Sequence, residues 1–149
     1  MPILRGQLDP QGQAFVPVAL YPSGPRRQAL QAAGQPAPAP AVFNGLIDTG
    51  ATVTIIDPRV RQALNLVPYR IRPIGVPAQP VPVYALWYKL DLVVFDPRAA
   101  TNVSLYTPML SVVETPISHS GADVLVGCDV LSRCFFGYGG TTRDFILAF

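Results

Sequence analysis

Proline and glycine recur along the whole chain, and they limit the folds that it can form. Of 149 residues, 17 are proline and 12 are glycine. Proline inside a helix removes a backbone donor and clashes with the preceding turn. Val, Ile, Leu, Phe and Tyr stand in short runs between these breakers, a pattern typical of strands joined by turns. The sequence therefore predicts an all-β fold without long helices.

Composition and charge exclude several classes of protein. Half of the residues are apolar and 13% are charged, which excludes a disordered chain. The length suits a single domain over residues 1–149. The net charge is +2, and the basic residues are scattered, so no basic stripe predicts nucleic-acid binding. Two cysteines, without a C-x-x-C pair, indicate neither a disulfide framework nor a metal site.

Targeting signals are absent from the sequence as given. The first ten residues lack a basic segment followed by an apolar run, so they do not resemble a signal peptide. No apolar stretch approaches the roughly 20 residues that cross a bilayer. We expect a cytoplasmic protein that has no membrane partner.

Breakers and apolar runs together predict the order of the elements. Asp57-Pro58 has the pattern of an N-cap followed by proline at the first helical position, which predicts a short helix over residues 59–64. Residues 21–40 are rich in Pro and Ala and predict an exposed, partly extended insertion loop, either a tolerated surface insertion or a loop that binds a partner or substrate. A helical turn is expected over residues 129–133. Strands are expected near residues 2–8, 14–20, 41–47, 103–113, 123–126, 134–138 and 144–149, with a two-stranded hairpin within residues 69–95.

Leu46-Ile47-Asp48-Thr49-Gly50-Ala51 is the segment that indicates chemistry. It places an aspartate directly after an apolar strand, followed by a hydroxyl and by a glycine that permits close backbone approach. An Asp-Thr-Gly tripeptide alone is weak evidence, because roughly a few per cent of chains this long contain one by chance. The preceding strand and the β-branched run that follows strengthen it.

Two more segments give this motif a recognisable context. Leu125-Val126-Gly127 precedes a short amphipathic helix, and a hairpin tip lies around Ile74-Gly75-Val76. With the Asp48 segment, and in this order, they make the chain resemble the retropepsin family of retroviral proteases and their bacterial and eukaryotic relatives. The resemblance covers residues 41–149, and the N-terminal strands by position only. The insertion at residues 21–40 departs from the family, as does Cys128, where retroviral members usually carry arginine.

This resemblance implies both a fold and a site. The fold would be a retropepsin-like, partly closed β-barrel with one or two short helices, assembled as a homodimer. Asp48 would be catalytic, in an active-site loop with Thr49, Gly50 and Ala51; Thr49 would brace the two loops across the dimer axis, and Gly50 would face the substrate. The substrate-binding and flap residues would be Leu46, Ile74, Gly75, Val76 and Leu125.

The implied reaction needs two carboxyl groups that share one proton. One takes a proton from the attacking water, and the other polarises the scissile carbonyl. The chain carries one Asp-Thr-Gly and no internal repeat, so a two-fold dimer would supply the second Asp48. The expected partners are a peptide or protein substrate and a second copy of the chain, with no metal or other cofactor.

Other readings stay open at this point. Asp123 or Asp129 could act as the second acid, although Asp123 precedes a buried strand and Asp129 is placed to cap the following helix. His119 lies in a polar turn, where surface exposure is the simpler interpretation. Trp87 could pack along a strand or form a groove wall. At the level of function, the alternatives are a catalytically silent peptide-binding or dimerisation module and a protease limited to self-processing.

Overall fold

The computed structural model describes residues 1–76, 79–99 and 103–149 of the chain. Short strands dominate this part, as the spacing of proline and glycine predicts. The strands are β1 (Ile3–Gln7), β2 (Phe15–Pro22), β3 (Ala41–Ile47), β4 (Ile55–Ile56), β5 (Arg70–Ile74), β6 (Val83–Phe95), β7 (Ser104–Glu114), β8 (Val124–Val126), β9 (Phe135–Gly139) and β10 (Asp144–Ala148). The helices are α1 (Gly24–Ala32), α2 (Pro58–Ala63) and α3 (Cys128–Leu131), with a 3₁₀ turn at Ser118–Ser120.

Six strands close into a barrel. They pair in the order β2-β3-β8-β4-β7-β6, and β2 pairs back onto β6 from Val18↔Val94 to Pro22↔Leu90. Closure leaves no free edge within these six strands, which protects them from pairing with other chains. β5 extends the sheet beyond β6 as an antiparallel neighbour.

Alternation of side chains along the strands fills the barrel. In β2, Val16, Val18 and Leu20 are buried, while the residues between them are only half-buried. This period of two is what a strand requires when one of its faces meets the core. The same core contains Leu92 and Val94 of β6, so the strands that close the barrel also share its interior.

A separate three-stranded sheet joins the two ends of the chain. Its order is β1-β10-β9, and β1 runs antiparallel to β10 from Ile3↔Ala148 to Gln7↔Asp144. The apolar C-terminal run is therefore paired within its own chain. Phe145 and Leu147 turn inward and join the core.

The segment over residues 21–40 differs from the expected extended loop. Its first half forms α1, with proline in the first turn, where no intrahelical partner is lost. Leu30 is buried, and the Arg27 guanidinium lies 3.2 Å from the buried carboxylate of Asp91 on β6. Residues 35–40 have no regular structure, as predicted. The extended-loop prediction was wrong for Gly24–Ala32 because Gly24 and Pro25 stand at the start of this helix and the other prolines and glycines of the segment lie outside it.

Asp57 connects helix α2 to two other parts of the chain. The residue is the N-cap of α2, as predicted, and its carboxylate accepts hydrogen bonds from Arg59 N and Ile117 N. The Arg59 guanidinium also bridges Asp57 and Asp123. Burial by itself raises the pKa of Asp57, but the two backbone N–H donors and the Arg59 guanidinium outweigh it and hold the pKa below its ordinary value.

Replacing Asp57 by Asn should lower the free energy of unfolding by about 1–3 kcal/mol near neutral pH, because backbone donors lose a charged acceptor. A carboxylate whose folded pKa is depressed stabilises the fold above the unfolded value, about 3.9 for Asp, and loses this effect as pH falls through the folded pKa. The difference in the free energy of unfolding between wild type and Asp57→Asn should therefore shrink below about pH 4. Urea unfolding from neutral to acid pH measures this difference, with Asp144→Asn as the exposed-carboxylate control. A difference that stays the same at all pH values would refute the lowered pKa of Asp57.

Candidate active site

Asp48 stands where strand β3 leaves the barrel. Its backbone N–H donates to Val126 O at 3.0 Å, so the first residue beyond the strand is still held by β8. The side chain is half-buried, and its Oδ1 accepts a hydrogen bond of 2.9 Å from Gly50 N. A turn follows at once, with Ala51 N donating to Asp48 O. The carboxylate is thus held by its own loop and remains accessible.

The loop after Asp48 rests directly on the glycine that ends β8. Cys128 N donates to Ala51 O at 2.8 Å. Gly127 is buried, and a Cβ atom there would come within 2.6 Å of Val53 C and 2.7 Å of Val53 O. The backbones therefore approach more closely than any side chain would allow. This contact explains why a glycine stands between Val126 and the last short helix.

A buried hydroxyl fixes the other side of this loop. Thr54 Oγ1 donates to Asp129 Oδ1 at 2.7 Å and accepts from Gly127 N at 3.1 Å, while Thr54 N donates to Asp129 Oδ2. Asp129 was expected to cap α3, but the N-cap is Gly127, and the carboxylate lies in the first turn, turned toward Thr54. Asp129 therefore positions the loop.

A cavity of about 420 Å³ opens beside Asp48. Half of its lining residues belong to a small hydrophobic cluster that is distinct from the barrel core, namely Trp87, Val113, Val53, Ile55 and Ile74. The volume is in the range of ligand-binding clefts. The residues that line the cavity are Asp48, Gly50, Ala51, Thr52, Val53, Ile55, Ile74, Gly75, Trp87 and Val113.

Seven of the nine predicted site residues line this cavity or a second one. Five of them line the first cavity, although they come from two segments that are well separated in sequence. The first segment supplies Asp48, Gly50 and Ala51, and the second supplies Ile74 and Gly75. Asp48 also lines the second cavity, of about 390 Å³.

Four of the predicted site residues lie elsewhere. Leu46 and Thr49 line the second cavity, on the side of β9 where the exposed Tyr138 stands. Val76 and Leu125 line neither cavity. Leu125 is half-buried and pairs with Leu46 and Ile55 inside the sheet.

Trp87 was expected to pack along its strand, with a groove wall as the weaker alternative. The structure shows that it does both: its side chain is 9% exposed and lines the cavity beside Val113, its partner in the β6–β7 register. Val113, Ile55 and Val53 also line the cavity and were not predicted. The alternation Val83, Ala85, Trp87 along β6 is the signal that could have placed the tryptophan on one face of the hairpin.

Asp48 differs from the other acidic residues in its position. The chain has nine acidic residues. Five of them bind a partner that is distant in sequence: Asp57, Asp91, Glu114, Asp123 and Asp129. The carboxylates of Asp9, Asp96 and Asp144 bind a neighbour within four residues, as that of Asp48 does with Gly50 N. Among the residues that line the first cavity, Asp48 alone is acidic. Within the described chain, neither Asp123 nor Asp129 lines it.

No metal-binding cluster and no membrane-spanning helix occur in the described part of the chain. Among residues 1–76, 79–99 and 103–149, no three His, Cys, Asp or Glu side chains lie close enough to hold a metal ion. His119 is exposed on the 3₁₀ turn, as predicted. No described helix is long and apolar enough to cross a bilayer.

Comparisons with known proteins give a result for the fold. No family model matches the sequence, and no curated protein sequence matches it. Among solved structures, the chain is similar to the crystal structure of a retropepsin-like aspartic protease from Rickettsia conorii, with a TM-score of 0.58 and 12% sequence identity. The match covers 97% of this chain and 89% of that one. The chain thus has the retropepsin-like barrel that its sequence predicts.

Proposed function

We propose that the protein is an aspartic endopeptidase whose catalytic centre is formed by Asp48 from each of two copies of the chain. The observation that carries this proposal is the position of Asp48. It is the single acidic side chain lining a mostly apolar cavity under the β5–β6 hairpin, in a barrel of retropepsin-like fold. The R. conorii protein of similar fold is described as an aspartic protease, which supports the same class of reaction here.

The need for a second copy follows from charge. Hydrolysis of a peptide bond by carboxyl groups requires one that takes a proton and one that gives a proton. The described chain supplies one accessible acid at the cavity. A two-fold dimer brings the same residue from its partner to the axis. Asp48 of each copy then binds the attacking water, and no metal is needed in this mechanism.

The loop and the hairpin have separate roles in the proposed reaction. The hydrogen bond from Gly50 N fixes Oδ1 and leaves Oδ2 free for water or for the shared proton. Ile74 and Gly75 line the same cavity as the loop, and in the proposed reaction the hairpin to which they belong is the flap. Closure of such a hairpin excludes water and strengthens the electrostatic interactions inside. The apolar walls accept hydrophobic side chains next to the cut bond.

The two-chain site predicts that activity depends on concentration. Specific activity against a mixed peptide library should rise with chain concentration and level off where sedimentation shows the dimer. Dilution below the dimer dissociation constant should abolish the specific activity, because a monomer holds only one carboxyl group of the pair. Activity that stays constant in a monomeric sample would contradict the two-chain centre. A dimer that binds peptides and cuts none would indicate a silent binding module.

A further inference from the structure

The cavity-facing side of the β5–β6 hairpin carries two arginines. The register pairs Arg70 with Trp87, Arg72 with Ala85 and Ile74 with Val83. Paired residues in antiparallel strands project from the same face of the sheet, and alternate residues share that face. Trp87 and Ile74 line the cavity beside Asp48. Arg70 and Arg72 therefore lie on the face that looks onto it.

Arg70 is held in place without an acidic partner. Its guanidinium carbon lies 4.4 Å from the Trp87 ring centroid and 5.1 Å from that of Tyr69, as in cation–π contacts. Its Nε is buried, and no described residue accepts a hydrogen bond from it. A buried donor without a partner is costly, and no carboxylate of the described chain pairs with this guanidinium either.

Neither Arg70 nor Arg72 forms an ion pair in the described chain, whereas four of the other arginines do: Arg27, Arg59, Arg61 and Arg98. Arg133 and Arg143 also lack a carboxylate partner, but they donate to backbone carbonyls. Two cations without a carboxylate thus lie on the sheet face that Trp87 and Ile74 share, next to the cavity of the proposed catalytic acid, although neither of them lines the cavity itself. Lys89, two residues beyond Trp87 on β6, adds a third positive charge next to Tyr69.

We propose that Arg70 and Arg72 select substrates that carry an acidic side chain in the segment bound beneath the β5–β6 hairpin. This inference rests on the function proposed above and specifies its substrate class: peptides with hydrophobic residues at the cut bond and Asp or Glu further along. A guanidinium presents a planar fork of donors that matches a carboxylate. Stacking on Trp87 fixes the Arg70 fork before substrate arrives, which lowers the entropy lost on binding.

Binding can be measured apart from catalysis, because Trp87 is the only tryptophan in the chain and lies in the cavity wall. The probes are acetylated, amidated peptides with a central Leu-Phe pair and Ala elsewhere, with Glu or Gln placed at each flanking position in turn. Trp87 fluorescence is titrated with each peptide in Asp48→Asn protein. At one flanking position at least, Glu should bind about three- to tenfold more tightly than Gln, and added salt should weaken this preference.

Variants identify the residues responsible. Arg70→Gln with Arg72→Gln should abolish the preference for Glu, and Arg70→Lys with Arg72→Lys should retain most of it. Arg72→Glu should shift the preference toward Lys at the same position. Arg5→Gln, an exposed arginine on the other sheet, should change nothing. A Glu preference that survives the double Gln variant, equal binding of Glu and Gln peptides, or no binding by either series overturns the proposal.

The same peptides separate this inference from the proposed function. Wild-type protein that cuts Glu and Gln peptides at equal rates would keep the endopeptidase and reject the role of the arginines. Arginine-dependent binding of Glu peptides, with no cleavage by a dimeric wild type, would keep the selectivity and reject the endopeptidase.

Discussion

Asp48→Asn should abolish peptide cleavage while the fold and the association of the two copies persist. In a mixed peptide library, we expect the rate to fall by roughly 10³-fold or more, since both the proton acceptor and the proton donor of the reaction are lost. The substitution keeps the size of the side chain, and the amide oxygen can still accept the hydrogen bond from Gly50 N. The loop geometry should therefore remain, and a loss of activity can be attributed to the missing carboxyl group.

Two controls make this result specific. Asp144→Asn removes a carboxylate from an exposed strand end and should leave the rate within about twofold of wild type, as expected for a substitution away from the site. Sedimentation and thermal unfolding of Asp48→Asn should match wild type. If Asp48→Asn protein is folded and dimeric yet cuts at the wild-type rate, Asp48 is not catalytic. A pepstatin-type inhibitor should stop the wild-type reaction and give an independent reading of the same mechanism.

Local signals in the sequence predicted most elements of the fold, because each element depends on its own neighbours. The strand at Ala41–Ile47 and the N-cap at Asp57 follow from alternation and from capping chemistry within a few residues. Helix α1 was missed since its prolines and glycines were read as a loop, whereas proline in a first turn is compatible with a helix. The barrel itself was predicted through the family resemblance.

The closure of that barrel has no local signal. It depends on pairs such as Val18↔Val94, which are far apart in the chain. Alternation shows that both strands have a buried face, but it does not show which strand pairs with which. Pairing of this kind is decided by how the complete set of strands packs.

Site residues could be predicted from the sequence where a motif marks them. They could not be predicted where only packing brings them to the cavity. Asp48 and Gly50 belong to a motif, and Ile74 and Gly75 follow it in family order. Val113 is as buried as a core residue, at 1% exposure, and nothing in its sequence neighbourhood separates it from the barrel interior. Wall residues of a cleft come from several strands, so their shared surface exists only in three dimensions.

Gly127→Ala should cause the largest loss of stability among single substitutions near the site. The backbone at this position has φ −88° and ψ −178°, which alanine adopts without strain. The added Cβ would come within 2.6 Å of Val53 C and 3.0 Å of Ala51 O. Both obstacles are backbone atoms of the loop after Asp48 and cannot rotate away. We expect the free energy of unfolding to fall by roughly 1–3 kcal/mol or more, as for other overpacked interiors.

Displacement of that loop should also reduce activity beyond what lost stability explains. The residues that Gly127 supports lie three to five positions after Asp48, and Cys128 N holds Ala51 O in the same contact. A shift of this backbone moves the carboxylate relative to the dimer axis, and small misplacements at a catalytic centre cost large factors in rate. Gly24→Ala is the matched control, because the nearest atom to its Cβ would be 3.9 Å away, at an ordinary van der Waals distance. It should leave cleavage unchanged. If Gly127→Ala unfolds at the wild-type urea concentration and cuts at the wild-type rate, the loop is not supported from Gly127.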